Sequence, residues 1–180
     1  FLGNIRNTDA IIHVVRCFDD DNIIHVDGSV NPVRDKEIID TELQLTDLET
    51  VEKRIAKQEK AARVGDRDAK KVMEILQAYK AHLESGKSAR SISLSAEDKM
   101  LAAEMYLLTA KPVLYVCNVD EQSVITGNKY TLQLQDAIKD EAAELLFISA
   151  AIESDIAQLE SYDDRKAFLH DLGLEESGVE

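Results

Sequence analysis

The chain of 180 residues contains no tryptophan, 5% aromatic residues, two prolines, two cysteines and seven glycines. Each shortage excludes something. With so few rings, a core must be filled by aliphatic side chains, and a hydrophobic content of 44% can supply them. Two cysteines, Cys17 and Cys117, cannot build the disulfide framework of a small secreted domain, so both are read as reduced, buried thiols at strand ends. No apolar run approaches the roughly 18 residues that cross a bilayer and no signal-like segment is found, so no membrane partner and a cytoplasmic location are expected. Positive charge is the scarce sign: 21 Lys and Arg stand against 35 Asp and Glu, a formal net charge of −14. So acidic a surface does not coat nucleic acid as a whole, and DNA is not an expected partner; a local basic patch stays compatible with it. Repeats and low-complexity segments are also missing.

What is present follows two periodicities. Ala10 to Cys17 is a strand-length run rich in β-branched residues, the pattern of a parallel strand buried on both faces. Residues 18–34 read as loop, with Asp19-Asp20-Asp21, Gly28, Asn31 and Pro32, and a short extended piece at Ile23 to Val26. Residues 113–117 and 145–148 read as two further strands. Helical spacing predicts a helix from Ser95-Ala96-Glu97-Asp98, a capping-box-like start, to just before Lys111-Pro112, then one over about 128–143 and another from about Glu153. Strands alternating with helices predict an α/β fold, a parallel sheet with right-handed crossovers. The opening Phe1-Leu2-Gly3-Asn4-Ile5-Arg6 reads as the end of a helix already under way, so the chain is expected to be an internal piece of a longer protein.

Between the first two strands lies a long helical stretch. From Asp35, read as N-cap, apolar residues Ile38, Ile39, Leu43, Leu45, Leu48, Val51 and Ile55 recur at helical steps. Gly65 interrupts. A second helix then carries Ala69, Val72, Leu76, Tyr79 and Leu83 at alternating three- and four-residue steps, a coiled-coil seam that Gly86 ends. Two long helices and a short turn predict an antiparallel hairpin, whose first arm of about 27 residues would reach roughly 40 Å. Its charge is polarised. Residues 35–52 hold seven acids and one base, Lys36, whereas residues 53–71 hold eight bases and three acids. Lys57, Lys60, Arg63, Arg67, Lys70 and Lys71 are therefore candidates for contacts to RNA phosphates. The plainer reading is a solvated face with i,i+4 ion pairs. No aromatic residue interleaves with these bases, so base stacking is not expected there.

The segment Val113 to Glu121 carries the chemistry. A buried strand stops at Asn118, an acid follows at Glu121, and a second strand later ends in Ser149-Ala150. A strand closed by Asn-x-x-acid, then a helix, then a strand closed by Ser-Ala resembles the base pocket of a P-loop GTPase-type domain. An Asn amide can bond a purine edge, as Asn pairs with adenine elsewhere. The usual form, Asn-Lys-x-Asp, selects guanine, because the Asp accepts from the guanine ring nitrogen and exocyclic amine. Here Val119 and Glu121 stand in the places of that Lys and Asp, which argues against guanine selection. A buried carboxylate left without its donors costs on the order of 1–3 kcal/mol, so Glu121 is expected to turn to solvent or to a basic neighbour. The candidate nucleotide-binding residues are Asn118, Val119, Asp120, Glu121, Ser149, Ala150 and Ala151.

The seven glycines include no Gly-x-x-x-x-Gly-Lys-[Ser/Thr], and no Asp-x-x-Gly occurs. Phosphate and Mg²⁺ binding rest on those elements. Hence no catalytic residue and no metal site are expected within this chain, and the chain alone is predicted to be inactive. The four histidines share no metal-ligand spacing, and His13, inside the first strand, reads as a core residue. Asp19-Asp20-Asp21 reads as a solvated loop.

Further stretches point to one family. They are Asn4-Ile5-Arg6-x-x-Asp9-Ala10, His13-Val14-Val15-Arg16-Cys17-Phe18, His25-Val26-Asp27-Gly28, Asn31-Pro32-Val33-Arg34-Asp35, Thr41-Glu42-Leu43 through Asp47-Leu48-Glu49 with Lys53-Arg54, Lys111-Pro112, and the tail from Asp164-Arg165 through Phe168-Leu169 to Glu176-Ser177-Gly178. In these, and over nearly its whole length, the chain resembles the YchF family, a branch of the Obg-like P-loop NTPases. The resemblance implies that the intact protein binds ATP with Mg²⁺, hydrolyses ATP in preference to GTP and binds ribosomes, through ribosomal RNA or protein. It also implies a helical hairpin inserted in a GTPase-like domain and a small TGS domain after it. Residues 1–34 and 95–180 are then expected to be parts of that domain without its P-loop half, and 35–94 the inserted hairpin. Val119 falls at a base-contacting position, and no cofactor is expected to stay bound to the piece. The alternative is a hairpin interaction module that contacts ribosomal RNA or protein and has no nucleotide role. A sheet edge left open by missing strands predicts non-native self-association.

Overall fold

The computed structural model describes residues 2–25, 28–63 and 67–178, with the backbone alone at positions 60 and 61. The turn expected at Gly65 and the end of the extended piece at Val26 lie outside the described residues. The chain divides into two compact units, one of residues 1–11 and 37–112 and the other of residues 12–36 and 113–180.

The second unit holds the sheet. Strands β1 (Ile11–Arg16), β2 (Val113–Asn118) and β3 (Glu144–Ile148) lie side by side in that order. β2 and β3 are parallel, with Leu114 opposite Glu144 and Asn118 opposite Ile148. β1 bonds β2 at both ends in the same sense, Ile11 N to Pro112 O at 2.9 Å and Cys17 N to Asn118 O at 2.8 Å. The parallel α/β expectation is met. The expectation that β1 is buried on both faces is not. Ile12 is 66% and Val14 60% exposed, while Val15 is buried, so the strand alternates as a one-faced strand does. On the buried face the His13 and Tyr115 rings sit 5.4 Å apart, which makes His13 a packed residue, as expected. Lys36 lies 5.6 Å over the Tyr115 ring and pairs with Glu141 at 2.6 Å, and Glu141 also accepts from the Tyr115 hydroxyl.

Helix α1 (Leu2–Ile5) opens the chain, and α2 (Pro32–Arg63) begins three residues before the expected cap. Asp35 is not its N-cap. The Asn31 side chain accepts from Arg34 N at 3.0 Å, and Pro32 takes the first helical position, where a missing N–H leaves nothing unpaired. Asp35 sits in the first turn and pairs instead with His25 at 2.9 Å and Arg34 at 3.1 Å. The stretch at Ile23 and Ile24 forms no strand. α5 (Lys129–Ile138) is shorter than expected, and the single helix expected from Glu153 is two, α6 (Ala150–Gln158) and α7 (Tyr162–Asp171). α6 and α7 close on each other through Ile152, Ile156 and Leu169.

The first unit is the hairpin with its supports. α3 (Arg67–Glu84) presents Ala69, Leu76, Tyr79 and Leu83 as buried, with Val72 partly so, and Ile75 joins them. α2 answers with Val51, fully buried, and with Leu48 and Ile55; Ile38 and Leu45, expected in the same stripe, are 45% and 57% exposed. Each buried aliphatic side chain contributes about 2 kcal/mol. α4 (Ala96–Ala103) starts where the cap predicts, the Ser95 hydroxyl accepting from Asp98 N, but it stops well before Lys111, and a 3-10 turn at Leu108–Ala110 follows.

That turn hangs on one buried carboxylate. Asp47 has no exposed surface and accepts from Leu108 N, Thr109 N and the Thr109 hydroxyl, each at 2.7 Å. Burial raises its carboxyl above the usual carboxylate range, and the Thr109 and Leu108 donors pull it back. Asp47→Ala orphans two buried N–H groups and is expected to cost about 3 kcal/mol in urea unfolding, against about 0.5 kcal/mol or less for the exposed control Glu49→Ala.

Candidate functional site

All three strands of the second unit end at one level. Beyond them opens a cleft of about 1110 Å³, and all seven residues named from the sequence, Asn118 to Glu121 and Ser149 to Ala151, line it. The register explains the convergence. Asn118 opposes Ile148, so the turns leaving β2 and β3 start side by side, and Val119 N bonds Ile148 O at 2.8 Å. Asn118 Oδ1 accepts from Ala150 N at 3.0 Å and thereby ties the two turns together. Its amide nitrogen bonds none of the described residues.

The four residues after the strand do different things. Val119 is 2% exposed, so it offers the cleft little side-chain surface. Asp120 faces its own chain: its carboxylate caps the following 3-10 turn, Glu121–Ser123, by accepting from Gln122 N, Ser123 N and the Ser123 hydroxyl. Glu121 is exposed and makes no hydrogen bond with the described residues, as its expected turn to solvent requires. Ser149 is 1% exposed, and its hydroxyl has no hydrogen-bond partner among the described residues. Buried polar atoms are rarely left so, and this one borders the cleft.

The far wall was not read from the sequence as part of a site. It comes from the loop after β1 and the start of α5. The Arg16 guanidinium bonds the carbonyls of Phe18, Asp20 and Ile23 and lies 4.8 Å over the Phe18 ring, which shapes the loop. The Tyr130 hydroxyl bonds both Asp19 oxygens, at 2.7 and 2.8 Å, and Lys129 lies 3.4 Å from the same carboxylate. The Tyr130 hydroxyl, then Lys129, hold the Asp19 carboxyl below its ordinary value. Asn128 caps α5 by accepting from Tyr130 N and Thr131 N while its amide donates to Cys17 O at 2.7 Å. The one legible signal was Asn128-x-x-Thr131, a capping box. Ahead of it Gly127 has φ +69°, and an added Cβ would come within 2.4 Å of the Thr131 hydroxyl. Asn128→Ala is expected to cost 1–2 kcal/mol in thermal unfolding, because it removes the cap and the tie to the strand end together.

The Cys17 and Cys117 thiols are free and buried. The Cys117 sulfur beside it and burial push the Cys17 thiol up, while Cys17 draws the Cys117 thiol down. Among the described residues no group of acids, histidines and cysteines has the geometry to hold a metal ion, and no helix is long and apolar enough to cross a membrane.

The basic candidates lie elsewhere, on α2 and α3. Arg63 pairs with Glu59 at 2.9 Å and Lys71 with Asp98 at 2.9 Å. Lys57, Arg67 and Lys70 are exposed and make no ion pair with the described residues. The Lys60 side chain lies outside the described residues.

Three comparisons bear on these sites. No family model matches the chain. The chain is 46% identical to the protein named ribosome-binding ATPase YchF in Bacillus subtilis (strain 168), over 100% of its own length and 50% of that protein's. The protein of the same name in Escherichia coli O157:H7 is 44% identical over 99% of the chain and 49% of its own length. The solved Schizosaccharomyces pombe YchF GTPase superimposes with a TM-score of 0.86 at 31% identity, covering 97% of the chain and 48% of that protein. The chain thus spans about half the length of the relatives it matches.

Proposed function

Starting from the fact that the chain belongs to the YchF family, we propose that it supplies the base-recognition end of a ribosome-associated, cytoplasmic P-loop ATPase, together with a coiled-coil arm. The observation that carries this reading is the convergence of Asn118 to Glu121 and Ser149 to Ala151 on one cleft.

Asn118 Oδ1 is engaged by Ala150 N, so its amide N–H remains to donate to a purine ring nitrogen. Adenine and guanine both offer that acceptor, so Asn118 sets where a purine sits and does not choose between the two. The choice falls to the next residues. Asp120 is spent on its own turn and Glu121 points to solvent, so no carboxylate is poised for the paired donors that guanine carries and adenine lacks. ATP is then preferred to GTP. Phosphates and Mg²⁺ would be held by the P-loop part of the intact protein, which supplies the phosphoryl chemistry.

The isolated chain is expected to release no phosphate from ATP above background in a coupled assay; measurable turnover that survives further purification would sink the division of labour. Binding of a fluorescent adenine nucleotide is expected to be weak and to weaken about tenfold further in Asn118→Ala, the worth of one hydrogen bond. Equal affinity in parent and variant would detach the cleft from purine binding.

The exposed bases of the arm are proposed to touch ribosomal RNA. Reversing the charge of Lys57, Arg67 and Lys70 removes three cations without breaking any ion pair to the described residues. In ribosome co-sedimentation the variant should lose roughly two units of the log affinity against log salt slope. An unchanged slope would assign these bases to solvent.

A further inference from the structure

Residues 18–24, the loop that forms the far wall of the cleft, have few anchors. Arg16 bonds the carbonyls of Phe18, Asp20 and Ile23, and Asp20 accepts from Asn22 N, but these bonds join the loop to itself and to the end of its own strand. Among the described residues, the hydrogen bonds and ion pairs that leave the loop go to one place. That place is the start of α5, where Asp19 meets Tyr130 and Lys129. Phe18 and Ile23, which line the cleft, lie on either side of Asp19 along the chain.

Tyr130 is fixed at both ends. Its N–H donates to the Asn128 side chain at 2.9 Å as part of the helix cap, and the Lys129 ammonium lies 4.6 Å from its ring centroid. Its hydroxyl sits 2.7 and 2.8 Å from the two Asp19 oxygens. A hydroxyl shared by a carboxylate at that range makes a charge-assisted bond. Yet the bond adds little to the stability of the unit, because the Asp19 side chain is 64% exposed and water screens it. A capped, rigid tyrosine that reaches out to an exposed acid holds the loop in position and does little else.

We propose that Tyr130 is a positioning residue of the purine site: through Asp19 its hydroxyl holds the loop after β1, and with it Phe18 and Ile23, in place across the cleft from Asn118 and Ala150. The proposal rests on the reading of the cleft as a purine site. Without the clamp the loop samples other positions, and the apparent affinity falls in proportion to the time it spends in place. The tyrosine acts through the loop and has no need to touch the nucleotide. Lys129 approaches the same carboxylate, at 3.4 Å, but it is an exposed point charge on a flexible stem, so the clamp is assigned to the ring and its hydroxyl.

The test uses the whole chain and mant-ATP, a fluorescent adenine nucleotide, with Kd read from anisotropy and Tm from thermal unfolding. Tyr130→Phe keeps the ring and removes the hydroxyl. It is expected to raise Kd about fivefold, as a loop in place for about a fifth of the time would, with Tm within about 1 °C of the parent's. Asp19→Ala is expected to do the same, and the double variant to bind no more weakly than either single one, since each removes the same bond. Asp19→Asn keeps an oxygen that accepts from the hydroxyl and drops the charge that Lys129 meets, so it is expected to bind within about twofold of the parent. Parent-like affinity in Tyr130→Phe overturns the proposal, as do losses that add in the double variant or a Tm that falls in step with affinity. Asp19→Asn binding as weakly as Asp19→Ala overturns the assignment to Tyr130 and transfers it to the Lys129 charge. Asn118→Ala separates the clamp from the reading beneath it. If it weakens binding while Tyr130→Phe does not, the clamp falls and the purine reading stands; if it binds as the parent does, both fall.

Discussion

The parallel register of the three strands is the constraint on which the proposed purine cleft depends. Cys17 N bonds Asn118 O, Val119 N bonds Ile148 O, and Asn118 faces Ile148, so three chain segments leave the sheet together. A slip of one residue would send Asn118 to the opposite face and Ser149 out of the wall. The Asn118–Ala150 bond then converts two adjacent turns into one piece, and the Asn128 capping box brings α5 to the same edge. This is the general habit of parallel sheets, in which ligands are met beyond the carboxyl ends of strands.

The two units solve different problems with different means. The sheet unit spends its polar groups on holding loops: Arg16 on three carbonyls, Asp120 on its own turn, Tyr130 on Asp19. The hairpin unit is largely aliphatic and seam-packed, but it buries Asp47 and Thr109, and the three donors on Asp47 tie the middle of a long helix to a turn more than sixty residues away. The proposed purine cleft and the proposed RNA contact follow this division. The first is a set of backbone and amide donors in a fixed frame, and the other is a set of cations displayed on helices.

Much of the fold was legible because its signals are local. The seam of α3 was readable from Ala69, Val72, Leu76, Tyr79 and Leu83, since a 3.6-residue period admits few other solutions. That residues 118–121 and 149–151 would meet at one edge was readable because both follow directly on strand ends, and neighbouring parallel strands end side by side. What was misread depended on distant partners. β1 looks buried on both faces by composition, but exposure is set by what covers it, and Ile12 and Val14 stay open. Asp35 looks like a cap, but Asn31 followed by Pro32 starts the turn earlier.

The sequence by itself determined the order of the three strands and the two long helices, the alternation that makes the sheet parallel, the polarised charge of the hairpin and the family. Each of these is written in residue type and spacing along one stretch of chain. Only the tertiary structure decided that Asp47 would be buried and that Asp19, Asn128 and Tyr130 would wall the cleft. These depend on which distant groups arrive at hydrogen-bond distance, and no local period encodes that meeting.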